Sequence, residues 1–194
     1  MDEVTYKQKE KFENIWGPEG NYRKGSCGQR LAPYFITVVR QPNVVVNDYG
    51  SGTGRSAVEL VKAGFTVRMF DIAENALEDE ARSLLGKGLT FRQACLWDLP
   101  EDVEKTSWGF CADVLMLIPQ EKIDATLECI ERTCENCFFE VYDWSYKWRE
   151  VEYTLTKWVA AQWEAKLNEY WQEVERLKIH GQETRMIFVA RNKD

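Results

Sequence analysis

The chain has 194 residues and a mass of 22.7 kDa, which is long enough for one domain with a full hydrophobic core. Its formal net charge of −7 disfavours non-specific binding to a phosphate backbone, and no apolar run approaches the length of a membrane span. The polar start MDEVTYKQKEKFEN is not typical of a signal peptide. Six cysteines with a single CxxC pair, Cys134 and Cys137, favour reduced thiols in a cytoplasmic protein over a zinc or redox site.

The predicted elements alternate between helix and strand over most of the chain. The first 40 residues indicate a polar helix, a Gly/Pro-rich stretch from Gly17 to Gly28 and an apolar helix over LAPYFITVV. Five strands are then predicted, VVVND, FTVRMFD, LTFRQACL, WGFCADVLML and CFFEVYDW. Helices are predicted between them over SAVELVKAG, NALEDEARSLLGKG and IDATLECIERTC. This alternation is typical of a parallel sheet with helices on both faces. Without repeats or linkers, we expect a single domain over residues 1–194, with residues 1–40 as an N-terminal helical cap.

The C-terminal part follows a different pattern. A stripe of apolar residues at helical spacing is formed by Val159, Trp163, Leu167, Tyr170 and Val174. Two strand-like runs follow, VERLKI and TRMIFVAR, and they are joined around His180 and Gly181. Such a short connection predicts an antiparallel hairpin at the edge of the sheet.

The segment DYGSGTG, residues 48–54, carries the clearest functional signal. It comes at the carboxyl end of the first predicted strand and before the first crossover helix, where open α/β sheets bind ligands. Glycine lets the backbone approach a ligand closely, and the N-terminus of the next helix offers free N–H groups. Asp71 closes the second strand at the spacing of a carboxylate that accepts from ribose hydroxyls. As an alternative, Asp71 is a helix N-cap.

Two ligand classes fit this loop. The run GTGRSA satisfies the GxGxxA form of a dinucleotide-binding turn, so NAD or FAD is one possibility. The loop begins with Asp48, however, and a carboxylate there suits an ammonium group better than a pyrophosphate. Together with two further motifs in register downstream and the predicted terminal hairpin, Asp48 favours a methyl donor over a dinucleotide.

Four segments resemble successive motifs of the class I S-adenosylmethionine-dependent methyltransferases: DYGSGTG, FDIAENAL, CLWDLP and ADVLMLIPQEKIDATLECI. The resemblance covers residues 44–141. CLWDLP and NYRKGSCGQR are also similar to small methyltransferase-domain proteins found in bacteriophage genomes. The resemblance implies an α/β fold with a Rossmann-like, doubly wound, mostly parallel sheet, a C-terminal antiparallel hairpin and helices on both faces. It also implies S-adenosylmethionine as the cofactor.

The resemblance implies a cofactor site made of four segments. The first includes Asp48, Tyr49, Gly50, Ser51, Gly52 and Gly54, with the aspartate and the glycine backbone facing the methionine part of the cofactor. Asp71 would hold the ribose, and Ile72 would lie beside the adenine.

Two departures from the family pattern affect the rest of this site. Relatives often end the third strand with an acidic residue that accepts from the adenine amino group, but Cys95 stands here, so backbone groups of Leu96 and Trp97 are the expected replacement. Asp113 ends the fourth strand near the place where donor and acceptor would meet. Relatives with small-molecule substrates often continue with Glu-His, whereas this chain has Met116-Leu117, so no catalytic base is assigned.

The sequence therefore predicts a methyltransferase with a small-molecule acceptor. The acidic charge and the lack of an NPPY-like motif argue against a nucleic-acid partner, and no membrane partner or metal is expected. The oligomeric state is left open. Two alternatives remain, a non-catalytic S-adenosylmethionine-binding module and an NAD-dependent oxidoreductase.

Overall fold

A mixed sheet positions every segment of the predicted site. The computed structural model describes residues 2–17, 28–41, 43–144, 153–178 and 184–192, and within them the strands follow the order β3-β2-β1-β4-β5-β7-β6. The strands are β1 (Val45–Tyr49), β2 (Thr66–Asp71), β3 (Leu89–Gln93), β4 (Thr106–Ala112), β5 (Cys134–Tyr142), β6 (Glu173–Lys178) and β7 (Arg185–Arg191). The helices are α1 (Glu3–Ile15), α2 (Gly28–Val39), α3 (Arg55–Lys62), α4 (Asp79–Ser83), α5 (Ile123–Thr133) and α6 (Ala160–Leu167). None of these helices is long and apolar enough to cross a membrane.

The strand pairing confirms the expected Rossmann-like topology. β1 pairs in parallel with β2 and β4, and β3 and β5 extend the sheet in parallel on the two sides. β7 pairs antiparallel with both β5 and β6, so the predicted hairpin at the edge is confirmed. The connection of this hairpin, with His180 and Gly181, lies outside the described residues, as does most of the segment NYRKGSCGQR.

Both faces of the sheet are covered, which explains why the central strands are almost continuously apolar. Neighbouring residues on a strand point to opposite faces. On β5, the Phe138 ring lies 5.8 Å from the ring of Phe35 in α2, whereas the Phe139 ring lies 5.2 Å from the ring of Trp171 on the other face. Trp163 of α6 is also fully buried there, as a packing residue of the apolar stripe. One strand thus contributes to two separate apolar clusters.

Several element boundaries differ from the sequence prediction, and in three elements the difference exceeds three residues. The helix expected over residues 75–88 is a 3-10 turn at Glu74–Ala76 followed by the short α4. Glu78 keeps the chain extended between them, because its N–H donates to Thr53 O at 3.1 Å and its carboxylate pairs with Arg55 at 2.6 Å.

The other two differences concern the fourth strand and the last helix. The strand expected to reach residue 117 ends at Ala112, because Asp113 adopts a left-handed φ of 63°. The apolar stripe that reaches Val174 is helical only as far as Leu167, and Val174 belongs to β6. The apolar residues after Leu167 keep helical spacing although the helix ends there.

The CxxC pair is explained by packing. Cys134 and Cys137 are fully buried at the start of β5. A Cβ on Gly109 of the adjacent β4 would lie 2.8 and 2.9 Å from their sulfur atoms, so this glycine leaves the room that the two thiols occupy. Burial raises the pKa of Cys137 well above its usual range, which keeps this group a neutral thiol.

Candidate active site

A cavity of about 820 Å³, open to solvent, lies at the carboxyl end of the parallel strands. Its lining includes the residues that directly follow four strands: 50–52 after β1, 71–72 at the end of β2, 94–97 after β3 and 112–114 at the end of β4. The carboxyl ends of parallel strands lie on the same edge of a sheet, so segments far apart in sequence meet there.

The loop after β1 forms the floor of this cavity. The N–H groups of Gly50 and Ser51 both donate to Phe70 O on β2, at 2.7 and 3.2 Å. Gly50 has a φ of +74°, and a Cβ at this position would lie 2.8 Å from Val114 Cγ1. Glycine is therefore required both by the backbone conformation and by the close approach of the segment after β4.

Asp71 connects this loop to the end of β2. Its Oδ2 accepts from the Gly52 N–H and its Oδ1 from the Ala73 N–H, both at 2.8 Å. The side chain is buried, which raises its pKa to about 6, although the hydrogen bonds from Ala73 and Gly52 oppose that rise. The N-cap alternative does not hold, because the next helical turn has Ala73 at its N-cap and no side-chain cap.

Asp48 lies on β1 beneath the loop and is not part of the cavity lining. Its Oδ2 has no hydrogen-bond partner among the described residues. Burial raises the pKa of Asp48 to about 8, and the negative charge of Asp71 adds to the rise. A cation near Asp48 would favour the ionised carboxylate.

The end of β3 contributes a mainly apolar wall. Ala94, Cys95, Leu96 and Trp97 all line the cavity. Burial raises the pKa of the Cys95 thiol to about 12, so this side chain is a neutral, weak donor and a weak acceptor. No strong side-chain acceptor therefore stands at the position where relatives often carry an acidic residue.

A charged group lies at the end of the cavity near β4. Asp113 lines the cavity, and its Oδ2 is 3.9 Å from Arg185 Nη2. Arg185 Nη1 donates to Glu140 Oε1 at 2.7 Å, and the guanidinium also covers the ring of Tyr142. Glu140 is fully buried, and burial raises its pKa to about 8, with the charge of Asp113 adding to the rise and Arg185 opposing it.

The residues after Asp113 are apolar. Val114, Leu117 and Ile118 line the cavity, while the Met116 side chain is buried. Met116 O accepts from the N–H groups of Leu155 and Thr156 at 2.8 and 3.1 Å. The pair Met116-Leu117 thus forms a packed wall, and the chain carries no acid or base at this point.

The sequence analysis missed one wall of the cavity, which comes from α1. Gln8, Phe12 and Trp16 line it, and their spacing of four residues places them on one helical face. The helix is attached at both ends, since Trp97 Nε1 donates to Thr5 Oγ1 at 3.1 Å and Asn75 Nδ2 donates to Glu13 O at 2.7 Å. The signal was present in the sequence, as a regular row of large side chains in an otherwise charged helix.

The structure brings most of the predicted cofactor residues together. The cavity is lined by Gly50, Ser51, Gly52, Asp71, Ile72, Cys95, Leu96, Trp97 and Asp113. Asp48, Tyr49 and Gly54 are not part of its lining. The Tyr49 hydroxyl lies 2.7 Å from Thr133 Oγ1 in the core, and Gly54 is the N-cap of α3.

Comparisons with known proteins agree with the fold. A family model for a methyltransferase domain matches residues 46–136. Among solved structures, the chain is similar to 1,6-didemethyltoxoflavin-N1-methyltransferase of Burkholderia thailandensis, solved with S-adenosylhomocysteine, with a TM-score of 0.77 and 14% identity over 99% of this chain and 90% of that one. Among curated proteins, no sequence matches this chain.

Two further neighbours act on different substrates. Magnesium protoporphyrin IX methyltransferase from Synechocystis PCC 6803, solved with S-adenosylmethionine, has a TM-score of 0.69 and 18% identity over 95% of this chain and 97% of that one. The small RNA methyltransferase HEN1 has a TM-score of 0.73 and 12% identity over 86% of this chain and 25% of that one. The chain therefore has the fold of the class I S-adenosylmethionine-dependent methyltransferases, and residues 46–136 match a family model for a methyltransferase domain.

Proposed function

We propose that this chain binds S-adenosylmethionine in the cavity and transfers its methyl group to a small-molecule acceptor. The observation that carries the proposal is the meeting of the backbone at residues 50–52 with the buried carboxylate of Asp71 at the carboxyl end of the sheet. The methyltransferase family model, and neighbours solved with S-adenosylmethionine or S-adenosylhomocysteine, support the same cofactor.

The residues present fit this cofactor. Each Asp71 oxygen accepts one backbone N–H, and a carboxylate oxygen has a second lone pair with which to accept from a ribose hydroxyl. Ser51 Oγ is buried without a hydrogen-bond partner among the described residues, at the part of the loop assigned to the methionine end. Ile72, next to Asp71, provides an apolar contact for the base.

Asp48 favours this cofactor over a dinucleotide. Its unpartnered Oδ2 lies beneath the glycine loop, where a pyrophosphate would be held in the oxidoreductase alternative. An ammonium group near this carboxyl favours its ionised form, whereas two phosphate charges disfavour it. The electrostatics of the loop therefore support a ligand with an amino-acid end.

In this reaction the main task of the protein is to position the cofactor and the acceptor. S-adenosylmethionine supplies a methyl group that is already activated on a sulfonium. The chain contributes binding, alignment and exclusion of water, and the rings of Phe12 and Trp16 cover one side of the cavity. Among the described lining residues, Asp113 is the acid near the assigned acceptor position, where it would accept a hydrogen bond from a hydroxyl or amine. Arg185 orients it.

A small molecule fits this cavity better than a nucleic acid. The acceptor end is lined by Val114, Leu117 and Ile118 beside Asp113, which suits an apolar molecule with one protic group. The net charge of −7 opposes binding of a polyphosphate. The similarity to small methyltransferase-domain proteins of bacteriophages, stated from the sequence, stays a hypothesis about its source.

Calorimetric titration with S-adenosylmethionine, S-adenosylhomocysteine and NAD tests the cofactor. We expect the first two to bind the wild-type chain, and we expect Asp71→Ala to lose them. Asp79→Ala, which removes an exposed carboxylate at the start of α4, is the matched control and should bind as the wild type does. Binding of NAD alone would overturn the proposal in favour of an oxidoreductase.

Transfer is tested separately from binding. The chain is incubated with S-adenosylmethionine labelled in its methyl group, together with a small-molecule extract or with total RNA. Label in a small molecule supports the proposal, and label in RNA would replace the acceptor class. Tight cofactor binding without transfer to either fraction would favour a non-catalytic binding module.

A further inference from the structure

Gln8 places an unsatisfied hydrogen-bond acceptor at the cavity. It is one of the residues that α1 contributes to the lining. Its Oε1 is buried and has no hydrogen-bond partner among the described residues. A buried amide oxygen without a partner costs free energy, so a ligand in the cavity that supplies the missing donor would gain affinity from it.

The neighbours of α1 show which end of the cavity Gln8 faces. Three residues before it, the Thr5 side chain hydrogen-bonds both to Trp97 Nε1 and to the Cys95 thiol, just after β3. Eight residues after it, Trp16 packs over the glycine loop, since a Cβ on Gly52 would lie 3.1 Å from its ring. Residues three apart on a helix lie side by side, so Gln8 lies nearer to the β3 end than to the loop.

The described residues after β3 that line the cavity carry no strong side-chain acceptor. Cys95 is a neutral thiol, Leu96 is apolar and Trp97 uses its only polar hydrogen to reach Thr5. Under the proposed function, this end and Ile72 border the adenine. Among the described residues at this end of the cavity, Gln8 contributes a neutral side-chain acceptor.

We infer that Gln8 recognises the amino group of the adenine ring of the cofactor. An amide matches adenine in particular, because its oxygen accepts from the exocyclic amino group while its nitrogen donates to the adjacent ring nitrogen. Gln8 thereby supplies from the N-terminal helix the acceptor that Cys95 does not supply from the sheet. Phe12, one turn further along α1, lies beside it and covers the apolar face of the site. The inference rests on the proposed function.

A ligand without the amino group tests this inference. The probes are S-adenosylhomocysteine and its analogue with hydrogen in place of the adenine amino group, titrated calorimetrically into four forms of the full chain. These are the wild type, Gln8→Met, Gln8→Glu and the control Glu10→Ala on the exposed side of α1. Methionine keeps the length and helix propensity of glutamine but neither hydrogen-bonding group.

We expect the wild type to bind S-adenosylhomocysteine about fivefold to tenfold more tightly than the analogue, as one hydrogen bond predicts. In Gln8→Met the two ligands should bind within about twofold of each other, whereas Gln8→Glu and Glu10→Ala should keep the preference. An unchanged preference in Gln8→Met would overturn the inference and leave the proposed function intact. Failure of the wild type to bind either probe would overturn both.

Discussion

The Oδ2 of Asp71 accepts the backbone N–H of Gly52 at 2.8 Å, so the acid at the end of β2 directly holds the loop that follows β1. The other oxygen of the same carboxylate holds the Ala73 N–H at the start of the next segment. One buried side chain thus sets the relative positions of two walls of the cavity. A ligand that binds Asp71 consequently meets a loop that is already ordered.

We expect Asp71→Asn to weaken both the fold and the site. Asparagine has only one acceptor oxygen, so its NH2 group would face one of the two backbone N–H groups that Asp71 accepts from. The free energy of unfolding should therefore fall by about 1–3 kcal/mol. Affinity for S-adenosylhomocysteine should fall by more than about tenfold, measured by calorimetry alongside urea unfolding. Asp79→Asn is the exposed control. Wild-type affinity in Asp71→Asn would contradict the assigned ribose contact.

The stability of the chain should depend on the ionisation of Asp48. Its pKa is about 8 in the folded chain against an ordinary value of 3.8, so the folded state holds a proton that the unfolded state has released. This contribution to stability is complete below about pH 4 and is lost as the pH rises toward 8. Relative to the wild type, Asp48→Asn should therefore gain stability between pH 5 and pH 8, as measured by urea unfolding. A constant difference between the two curves would show that Asp48 titrates normally.

Ionisation of Asp48, which lowers the stability of the chain, should raise its affinity for the cofactor. A free α-amino group stays protonated below about pH 7.7, so pairing with it requires the carboxylate form of Asp48. Affinity of the wild type for S-adenosylhomocysteine should rise between about pH 6 and pH 7.5, and that of Asp48→Asn should rise much less. Calorimetry in buffers of different ionisation enthalpy reports the accompanying proton release. Identical pH profiles would place the ammonium group elsewhere.

Gly50→Ala should lower the free energy of unfolding more than Gly86→Ala does, although both glycines have a left-handed backbone conformation. Gly86 has a φ of +77°, and no atom lies within 4 Å of the place that a Cβ would take there, so Gly86→Ala carries only the backbone strain of about 1–2 kcal/mol. Gly50 has nearly the same φ, but its Cβ would also overlap Val114. Chemical unfolding should therefore rank Gly50→Ala well below Gly86→Ala in stability. Equal losses would mean that the Val114 segment moves away freely.

Replacing Arg185 alone should lower the stability of the chain far more than replacing Arg185 and Glu140 together. Glu140 is fully buried with a pKa of about 8, so near neutral pH Arg185→Met leaves a buried carboxyl group without its hydrogen-bond donor and should cost about 1–3 kcal/mol. The loss should be smaller at pH 5 than at pH 8, because the protonated acid no longer needs the guanidinium. Adding Glu140→Gln should recover much of the stability, measured as a double-mutant cycle. Additive losses would show that the two residues act independently.

Local patterns in the sequence were sufficient for most elements. Buried parallel strands have continuous apolar runs, and the crossover helices are amphipathic, so β1, β2 and α5 were predicted within one or two residues of their bounds. The errors occurred where a distant partner acts on the backbone. Glu78 is held outside a helix by Thr53 and Arg55, and these contacts leave no trace in local periodicity.

Local patterns in the sequence were enough to predict the alternating strands and helices and the residues at the strand ends, because hydrophobic period and glycine spacing follow directly from burial and backbone geometry. Only the tertiary structure decided what surrounds those residues. It placed Gln8 of α1 beside the segment after β3, and Arg185 of β7 between Asp113 and Glu140. The ionisation of Asp48 was decided in the same way. Burial and charge–charge distance depend on which segments meet, and segments far apart in the chain meet only when the whole sheet has formed.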